Sequence, residues 1–240
     1  MKRLILITTT FLTLTLSACS SENHKIASID EASGISYCQN SDTLVVANDE
    51  GSFYEIKPSG EIISRHKLGN YDLEGVVCGD KNIIFAVEDG ALLRVDRKSL
   101  ETKEIKIKGK DIKFDKKSGI EGIAKVGDNY YLSIQSKTKE KAKLLVVKIG
   151  SNYAKIKKII NHGIIDSAGM EYQHHILYIV SDKKDTLYLY NPKSNHIIKK
   201  IKLDEFAQEG ITFDNRENVY FADDNGAVFK YTKKELGIKK

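Results

Sequence analysis

A short phrase recurs five times along this chain: a small or acidic residue, then glycine, then an apolar residue. It reads Ala32-Ser33-Gly34-Ile35, Leu73-Glu74-Gly75-Val76, Ile120-Glu121-Gly122-Ile123, Ala168-Gly169-Met170 and Gln208-Glu209-Gly210-Ile211. The glycines are 41, 47, 47 and 41 residues apart. A period of roughly 40–50 residues with strand-like content marks a propeller, a solenoid or an array. Each unit in such a fold is one small sheet that buries its faces only against its neighbours.

Each repeat reads as four short strands rich in Ile, Val, Tyr and Phe, separated by Asn, Asp, Gly and Pro turn signals. The fifth repeat has only three, Ile211–Phe213, Asn218–Ala222 and Ala227–Tyr231. A spare strand over Lys25–Ile29 precedes the first repeat. In a ring, that N-terminal strand completes the last unit and removes the exposed edges of a linear array. The expected fold is therefore all-β: a single β-propeller over residues 26–240, of five four-stranded blades, with the last closed by an N-terminal strand.

The first 18 residues read as a secretory leader. Lys2 and Arg3 precede an apolar, Thr-rich run from Leu4 to Leu16. That run is shorter than the roughly 20 residues needed to span a bilayer. The sequence Leu16-Ser17-Ala18-Cys19 resembles the lipobox of bacterial lipoproteins, with Cys19 as the lipidated residue and residues 19–25 as a polar tether. Such a chain is a lipid-anchored envelope protein. Ser20 after the cysteine, rather than Asp, favours the outer membrane. The formal net charge is +5, two of it from Lys2 and Arg3. Lysines of the stretches 103–117 and 137–148 alternate with apolar residues, as on outer strands with one wet face. Nucleic acid is not an expected partner for an envelope protein, and a monomer is expected.

Three of the five phrases place a glutamate beside the glycine. In a propeller the first strand of each blade lines the central channel, so Glu74, Glu121 and Glu209 converge at its mouth. Converging carboxylates must bind a cation, pair with Lys or Arg, or take up protons. Oxygen donors without recurrent Cys or His suit a hard cation such as calcium. A second polar set recurs at the end of each second strand: Asn48-Asp49, Glu88-Asp89, Gln135-Ser136, Ser181-Asp182 and Asp223-Asp224. Neighbouring antiparallel strands bring both sets to one face of the disc. Glu88, Asp182 and Asp223, with Asp166, form the expected channel rim.

Cys38 and Cys78 lie four and three residues after equivalent glycines. The one-residue offset reads as opposite strand faces, which favours two buried small residues over a disulfide. His162 precedes the Asp166 loop and is a candidate proton-transfer group at the channel mouth. His174-His175 falls in an exposed turn. Tyr130, Tyr178, Tyr188 and Tyr220 read as packing between blades. No G-x-S-x-G, HExxH or Cys-x-x-Cys motif occurs.

At Asp72-Leu73-Glu74-Gly75-Val76, Gly119-Ile120-Glu121-Gly122-Ile123-Ala124, Asp166-Ser167-Ala168-Gly169-Met170 and Gln208-Glu209-Gly210-Ile211, the chain resembles the SdiA-regulated, YjiK-like family of bacterial envelope propellers. The likeness runs from Ser33 nearly to the end. It implies a single propeller with a metal in the central channel and leaves the biochemical role undefined. Two positions depart from the family's pattern: Gln135-Ser136 stands where an acidic residue is expected, and Asp223-Asp224 where the family tends toward Glu. A looser likeness extends to esterase-like phytase relatives and gluconolactonase-type propellers. The leading expectation is a binding module for a small polar ligand or an envelope protein, built around a calcium-like ion. The alternative is a metal-dependent hydrolase of a phosphoester or lactone at the same acidic site.

Overall fold

The computed structural model describes residues 24–109, 114 and 119–238. The expected leader, Cys19 and the tether up to residue 23 lie outside the described residues. Twenty strands and no α-helix occur among them. β1 spans Lys25–Ala27. The first group of four contains β2 (Ala32–Cys38), β3 (Thr43–Asn48), β4 (Ser52–Ile56) and β5 (Ile62–Lys67). The second contains β6 (Leu73–Cys78), β7 (Asn82–Val87), β8 (Ala91–Asp96) and β9 (Thr102–Lys108). The third contains β10 (Ile120–Val126), β11 (Asn129–Ile134), β12 (Lys143–Ile149) and β13 (Tyr153–Asn161). The fourth contains β14 (Met170–Gln173), β15 (Ile176–Ser181), β16 (Thr186–Asn191) and β17 (His196–Lys202). The fifth contains β18 (Gln208–Phe213), β19 (Asn218–Asp223) and β20 (Ala227–Thr232), with β1 paired antiparallel to β20.

Within each group the strands pair as successive antiparallel neighbours. The second and third groups are further joined through a parallel pairing of β9 with β13, making one sheet of eight strands beside three sheets of four. The first strands of the groups touch in a closed circuit: β2 on β6, β6 on β10, β10 on β14, β14 on β18 and β18 on β2. The result is a propeller-like all-β fold.

The recurring glycines explain the circuit. A Cβ on Gly75 would lie 2.6 Å from the Ile123 nitrogen and 2.8 Å from the Gly122 Cα. One on Gly210 would lie 2.8 Å from the Ile35 nitrogen and 3.0 Å from the Gly34 Cα. Gly34, Gly122 and Gly169 meet the backbone of the next motif in the same way. Each glycine thus lets one inner strand press on the next, and no side chain fits between them. The space they enclose is a constriction lined by Gly34, Gly75, Gly169 and Gly210 together with Ile35, Val76, Ile123, Met170 and Ile211.

Five apolar clusters fill the five interfaces between adjacent groups. Phe53 meets Phe85 and Leu93 between the first and second, and Ile84 meets Ile123 and Leu132 between the second and third. Tyr178 and Phe213 pack between the fourth and fifth, with ring centroids 4.6 Å apart. Tyr188 and Tyr220 are buried in two further interfaces, and Tyr130 packs at the edge of another. His174 and His175 lie exposed in the turn after β14.

Two expectations are corrected here. Cys38 and Cys78 form a disulfide, with Cα atoms 5.4 Å apart. Their offset is what allows it. Equivalent residues of neighbouring groups point the same way round the ring: Ile35 faces the fifth group and Val76 faces the first. Shifting one of two such positions by one residue turns it about, so Cys38 and Cys78 point at each other. The second correction concerns four of the motifs, which lie inside the inner strands β2, β6, β10 and β18 rather than before them. The pairing of β2, β6, β10 and β18 with their neighbours shifts register at the motif: at Ala32/Gly34, Leu73/Val76, Ile120/Gly122 and Gln208/Gly210.

Candidate functional site

Those register shifts are β-bulges, in which an extra residue leaves the ladder and its side chain is re-aimed. The extra residue is Ser33 in β2, Glu121 in β10 and Glu209 in β18, and Glu74 lies within the corresponding shift in β6. A bulge beside a crowded glycine has little room on the ring side. The glutamate therefore emerges at the end of the inner strand, beside the end of the neighbouring second strand. Ser33, which replaces glutamate in the first motif, donates to the Leu73 carbonyl at 2.5 Å and is buried. Ala168 fills the position in the fourth.

Glu74 and Glu121 are buried polar residues. Three ligand oxygens, one each from Asp49, Asp72 and Glu74, lie within 4.8 Å of one another. Asp49 follows β3 of the first group, and Asp72 and Glu74 stand at the start of β6 in the second. The cluster therefore straddles an interface between groups. One buried carboxylate oxygen of Asp49 has no hydrogen-bond partner.

The electrostatics of this face are set by burial and like charge. Burial, then the charges of Glu121, Asp49, Glu209 and Asp72, hold the Glu74 carboxyl well above the usual carboxylate range. Burial with Glu88, Asp166, Asp49 and Asp72 pushes Glu121 up to about 8. Glu209 is raised by burial, then by Glu121, Asp182, Asp166 and Asp224. Asp49 is pushed up to about 7 by burial and by the charges of Asp72 and Asp224. The principal charges acting on these four groups are all carboxylates. At neutral pH the face must hold protons or a cation.

The expected rim residues have local work as well. Asp166 accepts from the Lys183 amide at 3.0 Å. Asp182 accepts from the Gln208 amide of the next group, and burial with Asp166 raises its carboxyl. Asp223 is buried and accepts from the amides of Ala207 at 2.9 Å and Asn225 at 3.3 Å. Glu88 lies against Gly119, within electrostatic reach of Glu121. These groups tie loops of the acidic face together while adding to its negative field.

Of the three expected glutamates, Glu74 belongs to the tight oxygen cluster, and Glu121 and Glu209 act on it through charge. Asp49 and Asp72 complete the cluster. Sequence reasoning had Asp49 in the second recurrent polar set and Asp72 two residues before Glu74, without joining them. That pairing depends on the contact between two groups, which no single repeat encodes. His162 is not at the acidic mouth. Its Nδ1 accepts from the Ile164 amide at 3.3 Å, and its ring meets Tyr190 edge-on at 6.4 Å. Burial lowers its pKa to about 4, so it is a neutral core residue.

The family model described as SdiA-regulated matches residues 17–231. Among solved structures, the fold is similar to that of the Myxococcus xanthus glutaminyl cyclase, with a TM-score of 0.67 and 10% sequence identity. That match covers 86% of this chain and 92% of the other. A comparison with curated proteins finds no match.

Proposed function

The chain belongs to the SdiA-regulated family, and on that premise we propose a lipid-anchored, five-bladed β-propeller of the bacterial envelope that holds a Ca²⁺-like cation at its channel mouth. Its acidic face serves to bind a small polar ligand or an envelope protein. The anchor is Cys19, the outer membrane the favoured location, and the protein a monomer. Each four-stranded group is one blade, and β1 closes the fifth.

The observation that carries the metal reading is the convergence of Asp49, Asp72 and Glu74. The donor set fits a hard divalent ion: it offers only oxygen, and an Asp49 oxygen is buried without a partner. Glu121 and Glu209 add negative charge that a cation relieves. When bound, the ion would neutralise the cluster and offer open coordination positions to an oxygen-bearing ligand. The chain's own residues fix the donors: the β6 bulge presents Glu74, and the first blade supplies Asp49. Hydrolysis of a phosphoester or lactone at this face is the second reading. The burial of His162 removes its candidate histidine, which favours binding.

The test is thermal melting of the chain from Ser20 onward, in chelator and then in Ca²⁺, Mg²⁺ and Mn²⁺. All twenty strands lie within this chain. Ligand at 100 times its Kd stabilises by about 2.7 kcal/mol. A shift that vanishes in Asp49→Asn/Glu74→Gln supports the site. A shift that persists undiminished in that variant rejects it. Glu121→Gln/Glu209→Gln then decides whether those two residues are ligands or supply charge alone.

A further inference from the structure

The acidic mouth leaves the outer circumference of the disc without an assigned role. Three strands there stand side by side. β17, β1 and β5 are the outermost members of the fourth, fifth and first groups. His24, just before β1, stacks on Tyr231 with centroids 4.0 Å apart and shares a groove with Ile201 and Lys202 of β17. On the other side, the Pro58-Ser59-Gly60 turn leading to β5 presses on the Ile26 carbonyl.

The exposed large apolar side chains cluster about this arc. Ile62 and Ile63 on β5 are 47% and 50% exposed, and Ile198 on β17 is 52% exposed. The other two among the described residues, Tyr153 and Ile159, lie on β13. Exposed cations surround the arc: Lys25 on β1, Arg65 and Lys67 on β5, and Lys199, Lys200 and Lys202 on β17. Large apolar residues interleaved with Lys and Arg on a solvent face suit the boundary between lipid headgroups and acyl chains, where the apolar tips enter and the cations meet anionic headgroups.

Chain length selects this arc over the others. Cys19 precedes His24 by five residues, which reach at most about 17 Å when fully extended. A lipid on Cys19 therefore holds the β1 arc close to the bilayer. The β9–β13 edge is also rich in lysine, with Lys106, Lys155 and Lys157 exposed, but it belongs to the second and third groups, across the ring from β1.

We propose that the circumference formed by β17, β1 and β5 rests on an anionic phospholipid surface, with Ile62, Ile63 and Ile198 entering the interface. The disc then stands on edge, and its acidic mouth opens sideways into water rather than toward like-charged headgroups. This proposal rests on the lipid-anchor reading.

The chain contains no Trp, so each substitution by Trp creates a single optical reporter. Ile63→Trp, Ile198→Trp and Ile159→Trp are made in the full chain, and the mature proteins are reconstituted into phosphatidylglycerol-containing vesicles. Emission is recorded with and without brominated lipid, and the mass of the N-terminal peptide reports acylation. Docking by this arc gives a blue shift and strong quenching at positions 63 and 198 and neither at 159. Quenching at 159, or none at 63 and 198 in an acylated chain, overturns the docking surface and leaves the anchor standing. A mature chain without an acyl group on Cys19 overturns the anchor and the docking proposal with it.

Discussion

Thr212 on β18 donates its hydroxyl to Glu171 on β14 at 2.9 Å, across the interface between the fourth and fifth groups. The same carboxylate accepts from the Tyr172 amide at 2.8 Å. The carboxyl is enclosed although the residue keeps some surface, and burial, only partly offset by those two bonds, pushes its pKa from 4.5 up to about 7. The folded chain therefore holds a proton that the unfolded chain has released. The stabilisation this gives is complete below about pH 4.5 and is lost as pH rises through about 7. Denaturant unfolding of Glu171→Gln across that window should show a flatter pH dependence than the parent, by roughly 2–3 kcal/mol. Parallel curves would mean the carboxyl titrates normally.

His162 works in the opposite direction. Burial lowers its pKa from 6.5 to about 4, so the unfolded chain binds a proton that the folded chain refuses. Its contribution is present above about pH 6.5 and lost as pH falls through about 4. NMR titration of the ring should show a neutral imidazole at pH 5.5. A charged ring at that pH would contradict its enclosure.

The Cys38–Cys78 disulfide closes a loop with a sequence separation of 40 residues. Chain-entropy arguments put its contribution at roughly 4 kcal/mol. Unfolding of the Cys38→Ser/Cys78→Ser double variant, compared with the oxidised parent, measures it. A difference below about 1 kcal/mol would mean that the reduced unfolded chain already keeps the two segments together, so that the bond removes little of its freedom.

Gly75→Ala tests the close approach of the inner strands. Its methyl would meet backbone atoms of Gly122 and Ile123, which cannot rotate away. The expected loss is about 2–4 kcal/mol. Gly127 has a positive φ of 59° and nothing near its open side, so Gly127→Ala should cost only the left-handed strain of about 1–2 kcal/mol. Equal losses at the two positions would argue against a crowded ring.

With the proposed cation, protons and metal compete for the acidic mouth. In chelator, the raised pKa values of Asp49, at about 7, and Glu121, at about 8, predict falling stability as pH rises from about 4 toward 8. The stabilisation by Ca²⁺ should grow over the same range. Asp49→Asn in chelator should be more stable than its parent at pH 8, because it removes one largely buried charge. A pH-independent calcium effect would place the ion elsewhere.

Much of the fold is legible because one physical demand, backbone touching backbone, puts a glycine in or just before every inner strand at a regular interval. The spare N-terminal strand was legible for a related reason: the fifth repeat was one strand short. The relations between repeats were harder to read. The offset of Cys38 and Cys78 puts them on opposite faces and is what joins them, because two residues facing each other across an interface must point in opposite senses round a ring. His162 was placed by its nearness in sequence to Asp166, yet the loop turns it into the core beside Tyr190. Asp49 stands in the recurrent polar set and Asp72 in the motif ahead of Glu74, and nothing in either repeat alone says that they meet.

The interface between the first two groups is crossed twice near its inner edge. At one end of β6, Glu74 and Asp72 face Asp49. At the other, Cys78 is bonded to Cys38. These are two fasteners on a single seam, one answering to redox conditions and the other, with the proposed cation bound, to ion concentration. Each restrains the same opening motion, so either one left closed shelters the seam when the other is undone. Their free energies should then combine by less than their sum, and the full cost of release should appear only when reductant and chelator act together.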